Sequence, residues 1–188
     1  MNSTTQSHFK NLKSDDKNIR YEAYISILAE TEGPVDWAYE VWDKLKDDLT
    51  HADNHRRSRA AQFLCSLAIS DPEKRMIEDF QLIWKVTYDE KFVTARHTLQ
   101  SIWKIGLACE ELKELVVNSF VDRFTNGVNE KNYTLIRFDI IQGLRNLYEK
   151  KQEEGIKQVA HQLIEKEDDT KYRKKYAAVW KNIELCSS

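Results

Sequence analysis

Two groups of three residues in the middle of the chain share one spacing. Each group follows the pattern i, i+4, i+7, which places its members on a single face of an α-helix. The six residues are His97, Ser101, Lys104, Phe138, Gln142 and Arg145. The cations supply positive charge, the imidazole, hydroxyl and amide groups supply hydrogen bonds, and the phenyl ring supplies an apolar anchor. This patch is predicted either to bind acidic side chains or a helix C-terminus of a protein partner, or to be ordinary solvated surface.

Arg96 and Arg137 lie beside this patch, each one residue before a member of it. As a functional pair they would bind a carboxylate or phosphate of a ligand. As structural residues they would lie at the seam between neighbouring helices and pair with a carboxylate of the same chain. We expect the structural role, with Asp89, Asp122 or Asp139 as partner.

Signals for a metal site or for catalysis are weak. His51 and His55 are four residues apart, but a predicted turn around Asp53 separates them. The three cysteines, at positions 65, 109 and 186, are isolated and do not form the paired spacing of a zinc site. There is no glycine-rich phosphate loop and no Gly-x-Ser-x-Gly turn. We therefore expect no cofactor and no metal.

The elements that must position the patch come from an internal repeat. One small or apolar position recurs at intervals of 37, 35, 41 and 40 residues, and a second apolar position follows four residues after each recurrence. The first row is Ala23, Ala60, Ala95, Ile136 and Tyr176, and the second is Ile27, Leu64, Leu99, Ile140 and Trp180. Repetition at this period predicts a helical solenoid, in which each unit buries its apolar face against its neighbours.

Turn signals divide the chain into ten predicted helices in five antiparallel pairs. Asp16 is expected to cap the second helix, Gly33-Pro34 to separate the second from the third, and Asp71 to cap the fifth. The sixth helix is expected to end near Gly106 and the tenth near Ile183. With only five Gly and two Pro in 188 residues, the chain has few of the turn residues that a β-sandwich needs.

The repeated pattern resembles the HEAT-repeat family, in which an Asp-containing turn precedes a second helix that opens with Arg-x-x-Ala. The matching residues are Asp15-Asp16 with Arg20 and Ala23, Asp53 with Arg57 and Ala60, and Asp168-Asp169 with Arg173. In this last repeat Tyr176 replaces the alanine. Phe92 and Tyr133 replace the arginine in the two middle repeats. The resemblance implies an all-α, right-handed α-α superhelix of about five helix pairs that forms one domain over residues 1–188. The second helix of each pair is then expected to line a concave surface, and this surface includes the six-residue patch.

Composition narrows the class of protein. The net charge of −2 gives no bulk attraction to nucleic acid or to an anionic membrane. No apolar run approaches the length of a membrane-spanning helix, the N-terminus lacks the apolar core of a signal peptide, and the unpaired cysteines are typical of a reducing compartment. We expect a cytoplasmic protein without a membrane partner. Trp180, near the chain end, is expected to be partly exposed.

Two functions remain open. The first is a non-enzymatic scaffold that binds a protein or peptide partner on its concave surface, which is the surface that solenoids supply. The second is a nucleic-acid-binding protein or an enzyme similar to alkylpurine DNA glycosylases, with Asp139 as the nearest candidate carboxylate. The basic clusters at residues 55–59 and 171–175 are expected to be solvated helix surface rather than one continuous nucleic-acid interface.

Overall fold

The computed structural model describes residues 1–181, and its regular structure is helical, with no strand in that range. The ten α-helices are α1 (Ser3–Asn11), α2 (Lys17–Glu30), α3 (Ala38–Asp48), α4 (Asn54–Leu67), α5 (Arg75–Val86), α6 (Phe92–Leu99), α7 (Glu110–Asn126), α8 (Tyr133–Lys151), α9 (Glu154–Glu165) and α10 (Thr170–Ala178). Short 3₁₀ helices span Ala68–Ser70, Ile102–Leu107 and Gly127–Asn129. The all-α prediction is confirmed; Ile183 and Cys186 lie outside the described residues.

The helices pack in chain order. Each odd-numbered helix contacts the even-numbered helix that follows it, and the even-numbered helices α2, α4, α6, α8 and α10 each contact the next in that series. The right-handed superhelical course stays a prediction. Within the described part of the chain, no helix is long and apolar enough to cross a membrane.

The two repeated apolar rows lie in the core. All ten of their residues are at most 4% exposed. Gly143 lies where α8 packs against α7, and a Cβ atom there would lie 3.0 Å from the ring of Phe120. The glycine therefore allows α8 to approach α7 closely.

Of the two caps expected from the sequence, Asp16 is confirmed and Asp71 is wrong, while Asp53 and Asp169, expected only as turn residues, also cap helices. The side chains of Asp16, Asp53 and Asp169 accept backbone N–H groups at the starts of α2, α4 and α10. Asp71 does not stand at the N-cap of α5, because residues 71–74 first form a turn and Lys74 adopts the left-handed conformation before the helix begins. Asp71 still accepts the Met76 N–H, at 2.7 Å.

The sixth helix is shorter than predicted. It ends at Leu99, and the chain continues as a 3₁₀ helix from Ile102 to Leu107. The hydroxyls of Thr98 and Ser101 donate to backbone carbonyls four residues earlier. Such bonds from side chains weaken regular helical hydrogen bonding slightly and often bend helices.

The tryptophans pack in or against the core. Trp37 and Trp42 are buried, and Trp84 and Trp103 pack against the core while partly buried. The expectation of a partly exposed Trp180 is wrong: it is 4% exposed, because Tyr148 and His161 cover its ring. These rings therefore offer no platform for stacking nucleic-acid bases.

Candidate ligand-binding cleft

A concave cleft of about 940 Å³ lies where the α1–α2 turn approaches α3 and α4. We call it the N-terminal cleft. Six apolar side chains form its floor: Phe9, Leu12, Val41, Leu45, Ala60 and Phe63. A volume of this size lies within the range of small-ligand and peptide side-chain sites.

The rim of the N-terminal cleft is strongly basic. Seven Lys or Arg residues line it, against three Asp residues, in a chain whose net charge is −2. The lysines and arginines are Lys10, Lys13, Lys17, Arg20, Lys44, Arg56 and Arg59. Asp48 is bound by Arg56 at 2.5 Å, and Asp53 caps α4, so these two carboxylates already have partners. The rim thus has positive charge that the protein itself does not neutralise.

Arg59 is the most informative residue of this rim. Its side chain is half-buried, and among the described residues it forms no hydrogen bond and no ion pair. Burial lowers the pKa of its guanidinium, and the charges of Arg20 and Arg56 lower it further against the attraction of Asp53. Arg59 therefore has no directly bonded carboxylate in the described part of the chain, and Asp53 and Asp48 attract its charge only at longer range.

A smaller cavity of about 300 Å³ adjoins the cleft on the α2, α4 and α6 side. Lys17, Arg20, His55 and Arg59 line both cavities, and we call these four residues the basic ridge. The remaining walls are Tyr21, Tyr24, Ser58, Gln62 and His97. The cleft and this cavity therefore form one surface, divided by the basic ridge.

The walls of the smaller cavity differ in how firmly they are held. The Tyr24 hydroxyl donates to Gln62 at 2.7 Å, and Gln62 in turn donates to the carbonyl of Ser58. Burial and the neighbouring Tyr21 raise the pKa of Tyr24. Tyr21 itself is 64% exposed, 6.4 Å from the Tyr24 ring. One ring is thus fixed and the other is free to contact a ligand.

A repeated turn positions two arginines, Arg20 of the basic ridge and Arg57 of α4. Arg20 donates from Nη1 to the carbonyls of Ser14 and Asp15, at 2.6 and 2.9 Å. Arg57 does the same to the carbonyls of His51 and Ala52, at 2.7 and 3.0 Å. Each arginine follows its capping aspartate by four residues, so the sequence pattern Asp-x-x-x-Arg fixes both turns.

The third copy of that pattern differs. Asp169 caps α10, but Arg173 is exposed and makes no such bond among the described residues. Its cluster, at residues 171–175, is mainly exposed, as expected. Residues 55–59 are solvated only in part: His55 is exposed, but Arg57 pairs with Asp89 at 2.6 Å and Arg59 lines the cleft.

We call the six residues predicted from the sequence the central patch. Three of them, His97, Ser101 and Lys104, lie on α6 or in the segment that follows it. His97 is exposed and lies on the smaller cavity. Ser101 donates to the carbonyl of His97. Lys104 donates to Ser66 on α4, at 3.0 Å. Lys104 thus makes its polar contact with α4 rather than with α8.

The three patch residues on α8 contact α8 itself or the region of α10. Phe138 lies beneath the ammonium of Lys175, 4.8 Å from the ring centroid. Gln142 donates to Asn146, and Arg145 pairs with Glu149 on the same helix. No hydrogen bond joins this group to the three residues on the α6 side within the described chain.

Arg96 and Arg137 are both engaged with carboxylates of neighbouring segments. Arg96 binds Asp139 through two hydrogen bonds, at 2.7 and 2.8 Å, and Gln100 adds a third bond to the same carboxylate. Arg137 binds Glu167 at 2.7 Å, which is not among the three partners expected from the sequence. Asp139 is 2% exposed and binds Arg96 between α6 and α8. Its carboxylate is therefore not on the open surface where a glycosylase would need it.

The N-terminal cleft was missed at the level of sequence although a signal was present. Two basic segments, residues 10–20 and 55–59, stand one repeat apart, so equivalent positions on successive helix pairs bring them together. No protein-family model matches the chain, and no curated protein matches its sequence.

Proposed function

We propose that this chain is a non-enzymatic helical-repeat module, similar to HEAT-repeat scaffolds, that binds an acidic segment of a partner protein in the N-terminal cleft. The observation that carries the proposal is the unpaired, half-buried Arg59 in a cleft whose floor is apolar and whose rim is basic. The row of even-numbered helices and the buried repeat rows support a scaffold of stacked helix pairs, and its right-handed superhelical course is part of the proposal.

The two parts of the cleft serve different purposes. Burying one leucine or phenylalanine side chain against the floor contributes about 1.5–3 kcal/mol. Each solvent-exposed ion pair at the rim contributes about 0–1 kcal/mol, while the summed positive field accelerates association and selects acidic partners. A segment with one or two apolar side chains between Asp and Glu residues therefore fits best.

A fluorescently labelled peptide that alternates Glu with Leu tests this function, with a Lys-for-Glu peptide as control. Fluorescence anisotropy should show binding of the acidic peptide only. The double variant Lys13→Glu/Lys17→Glu should weaken that binding by about 10-fold or more, the equivalent of roughly 1.4 kcal/mol. Neither lysine forms an ion pair within the described residues, so their replacement should leave the fold intact.

The matched control reverses two charges in the central patch, as Lys104→Glu/Arg145→Glu. It should leave acidic-peptide binding within about 2-fold of wild type. Loss of binding in this variant, with binding retained in the Lys13→Glu/Lys17→Glu variant, would move the site to the central patch. Binding of neither peptide by the wild-type protein would refute the acidic-segment proposal.

Single-stranded nucleic acid is the second candidate ligand, because the exposed Tyr21 ring stands beside the basic ridge. Stacking of bases on aromatic rings above a basic groove is a common arrangement for such binding. A labelled oligonucleotide should then bind more tightly than the acidic peptide and weaken by orders of magnitude between about 50 and 200 mM salt. We prefer the protein partner because the apolar floor suits side chains better than phosphates.

A further inference from the structure

The basic ridge has more positive charge than a single carboxylate can neutralise. Lys17, Arg20 and Arg59 form no ion pair with any described carboxylate. Arg20 is bonded only to neutral backbone carbonyls, so its charge is still uncompensated. His55 adds a fourth donor at the same border between the two cavities.

The backbone does not supply this anion site. Asp16 occupies the N–H groups of Asn18 and Ile19, and Asp53 occupies that of His55. The first turns of α2 and α4 therefore have their caps, and any anion on the ridge must be held by side chains. Guanidinium groups suit this role because their planar donors match phosphate and carboxylate oxygens.

We propose that the basic ridge binds the phosphate of a phosphorylated side chain in the partner's acidic segment. A phosphoryl group carries close to two negative charges and offers three acceptor oxygens, whereas a carboxylate carries one charge and offers two. The apolar floor beside the ridge then receives a neighbouring side chain of the same segment. This inference rests on the proposed function, since it specifies the ligand of the same cleft.

A peptide series tests the phosphate preference directly. Three versions of one labelled acidic peptide carry phosphoserine, aspartate or serine at a single position next to a leucine, and their affinities are compared by fluorescence anisotropy. Phosphoserine should bind about 10-fold or more tighter than serine, as expected for charge-assisted hydrogen bonds, with aspartate between them. Equal affinities for phosphoserine and serine would overturn the inference and leave the proposed function standing.

Arg59→Gln should reduce the phosphoserine-to-serine ratio to about 2-fold or less, and this ratio reports the phosphate contact even where the variant also weakens binding of the serine peptide. The control is Arg173→Gln, which removes the same charge from an exposed arginine on α10 and should retain the full ratio. A full ratio in the Arg59→Gln protein would place the phosphate elsewhere and refute the assignment to the ridge.

Inorganic phosphate provides a measurement that needs no peptide. It should raise the melting temperature of the wild-type protein above that in sodium chloride of equal ionic strength, and Arg59→Gln should abolish this difference. A phosphate effect without peptide binding would support the ridge as an anion site and refute the proposed function. No phosphate effect together with equal binding of the three peptides would refute the ridge alone.

Discussion

The ion pair between Arg137 and Glu167 gives the sharpest test of how adjacent helices are joined. Both side chains are nearly inaccessible, at 10% and 3% exposure, and their nitrogen and oxygen atoms are 2.7 Å apart. Arg137 also donates to the carbonyl of Phe124 and lies 4.5 Å from the centre of that ring. One guanidinium thus contacts both the end of α7 and the turn before α10.

We predict that Arg137→Leu lowers the free energy of unfolding by about 3–5 kcal/mol, the usual cost of leaving one member of a buried ion pair without its partner. For a chain of this length, 1 kcal/mol corresponds to about 2–4 °C in melting temperature, so a fall of about 10 °C is expected. Urea titration followed by circular dichroism measures the first quantity, and a thermal scan measures the second.

Two further variants make the result decisive. Glu167→Gln in the Arg137→Leu background should recover part of the loss, because it removes the buried charge and keeps the oxygen that accepts the Asp169 N–H. Arg145→Leu, on the same helix, breaks a pair whose glutamate is 53% exposed and should cost about 1 kcal/mol or less for that pair. A stable Arg137→Leu protein that no longer binds the acidic peptide would reverse the assignment from structural to functional.

Three other outcomes are expected. Gly143→Leu should lower the free energy of unfolding by about 1–3 kcal/mol in urea, because its side chain would meet Phe120; unchanged stability would contradict the close approach of α8 to α7. In the native protein at about pH 8, iodoacetamide should label the partly exposed Cys109 and spare Cys65, because burial raises the pKa of the Cys65 thiol to about 12. Peptide mass spectrometry detects the labelled cysteines. Rapid labelling of both would show that α4 is not packed as described. Burial raises the pKa of Asp89, but the hydrogen bonds from Arg57 and from the Lys91 N–H outweigh burial and hold this pKa below 3.8. The ionised carboxylate therefore stabilises the fold at neutral pH, and this stability is lost as the pH falls below 3.8. Arg57→Gln should raise the pH midpoint of acid unfolding, and an unchanged midpoint would argue against the Arg57–Asp89 pair.

Burial and caps were predictable because they depend on local patterns. The ten row residues share a spacing of four, which puts them on one helix face whatever the neighbouring helix is. Asp16, Asp53 and Asp169 cap helices through bonds that span only two or three residues. Such features need no knowledge of how the helices are arranged.

Pairings between helices were not predictable in the same way. Arg137 was expected to meet an aspartate, but its partner Glu167 is 30 residues away in the turn before α10. The N-terminal cleft depends on how far the α1–α2 turn stands from α3 and α4, a distance that no sequence spacing encodes. The repeat spacing indicates only that the basic segments at residues 10–20 and 55–59 are neighbours, and the cavity between them is seen only in the structure.

The basic cluster of α4 shows why charge must be assigned one residue at a time. Successive residues of a helix point about 100° apart, so three arginines within four residues face different neighbours. Arg56 meets Asp48 at the end of α3, Arg57 meets Asp89 in the turn after α5, and Arg59 enters the cleft without a partner. Two of the three charges are therefore used by the fold, and neutralising the whole cluster would confuse loss of stability with loss of binding. Arg57→Gln should act on stability and Arg59→Gln on ligand affinity, so separating these two effects distinguishes a binding surface from a merely basic one.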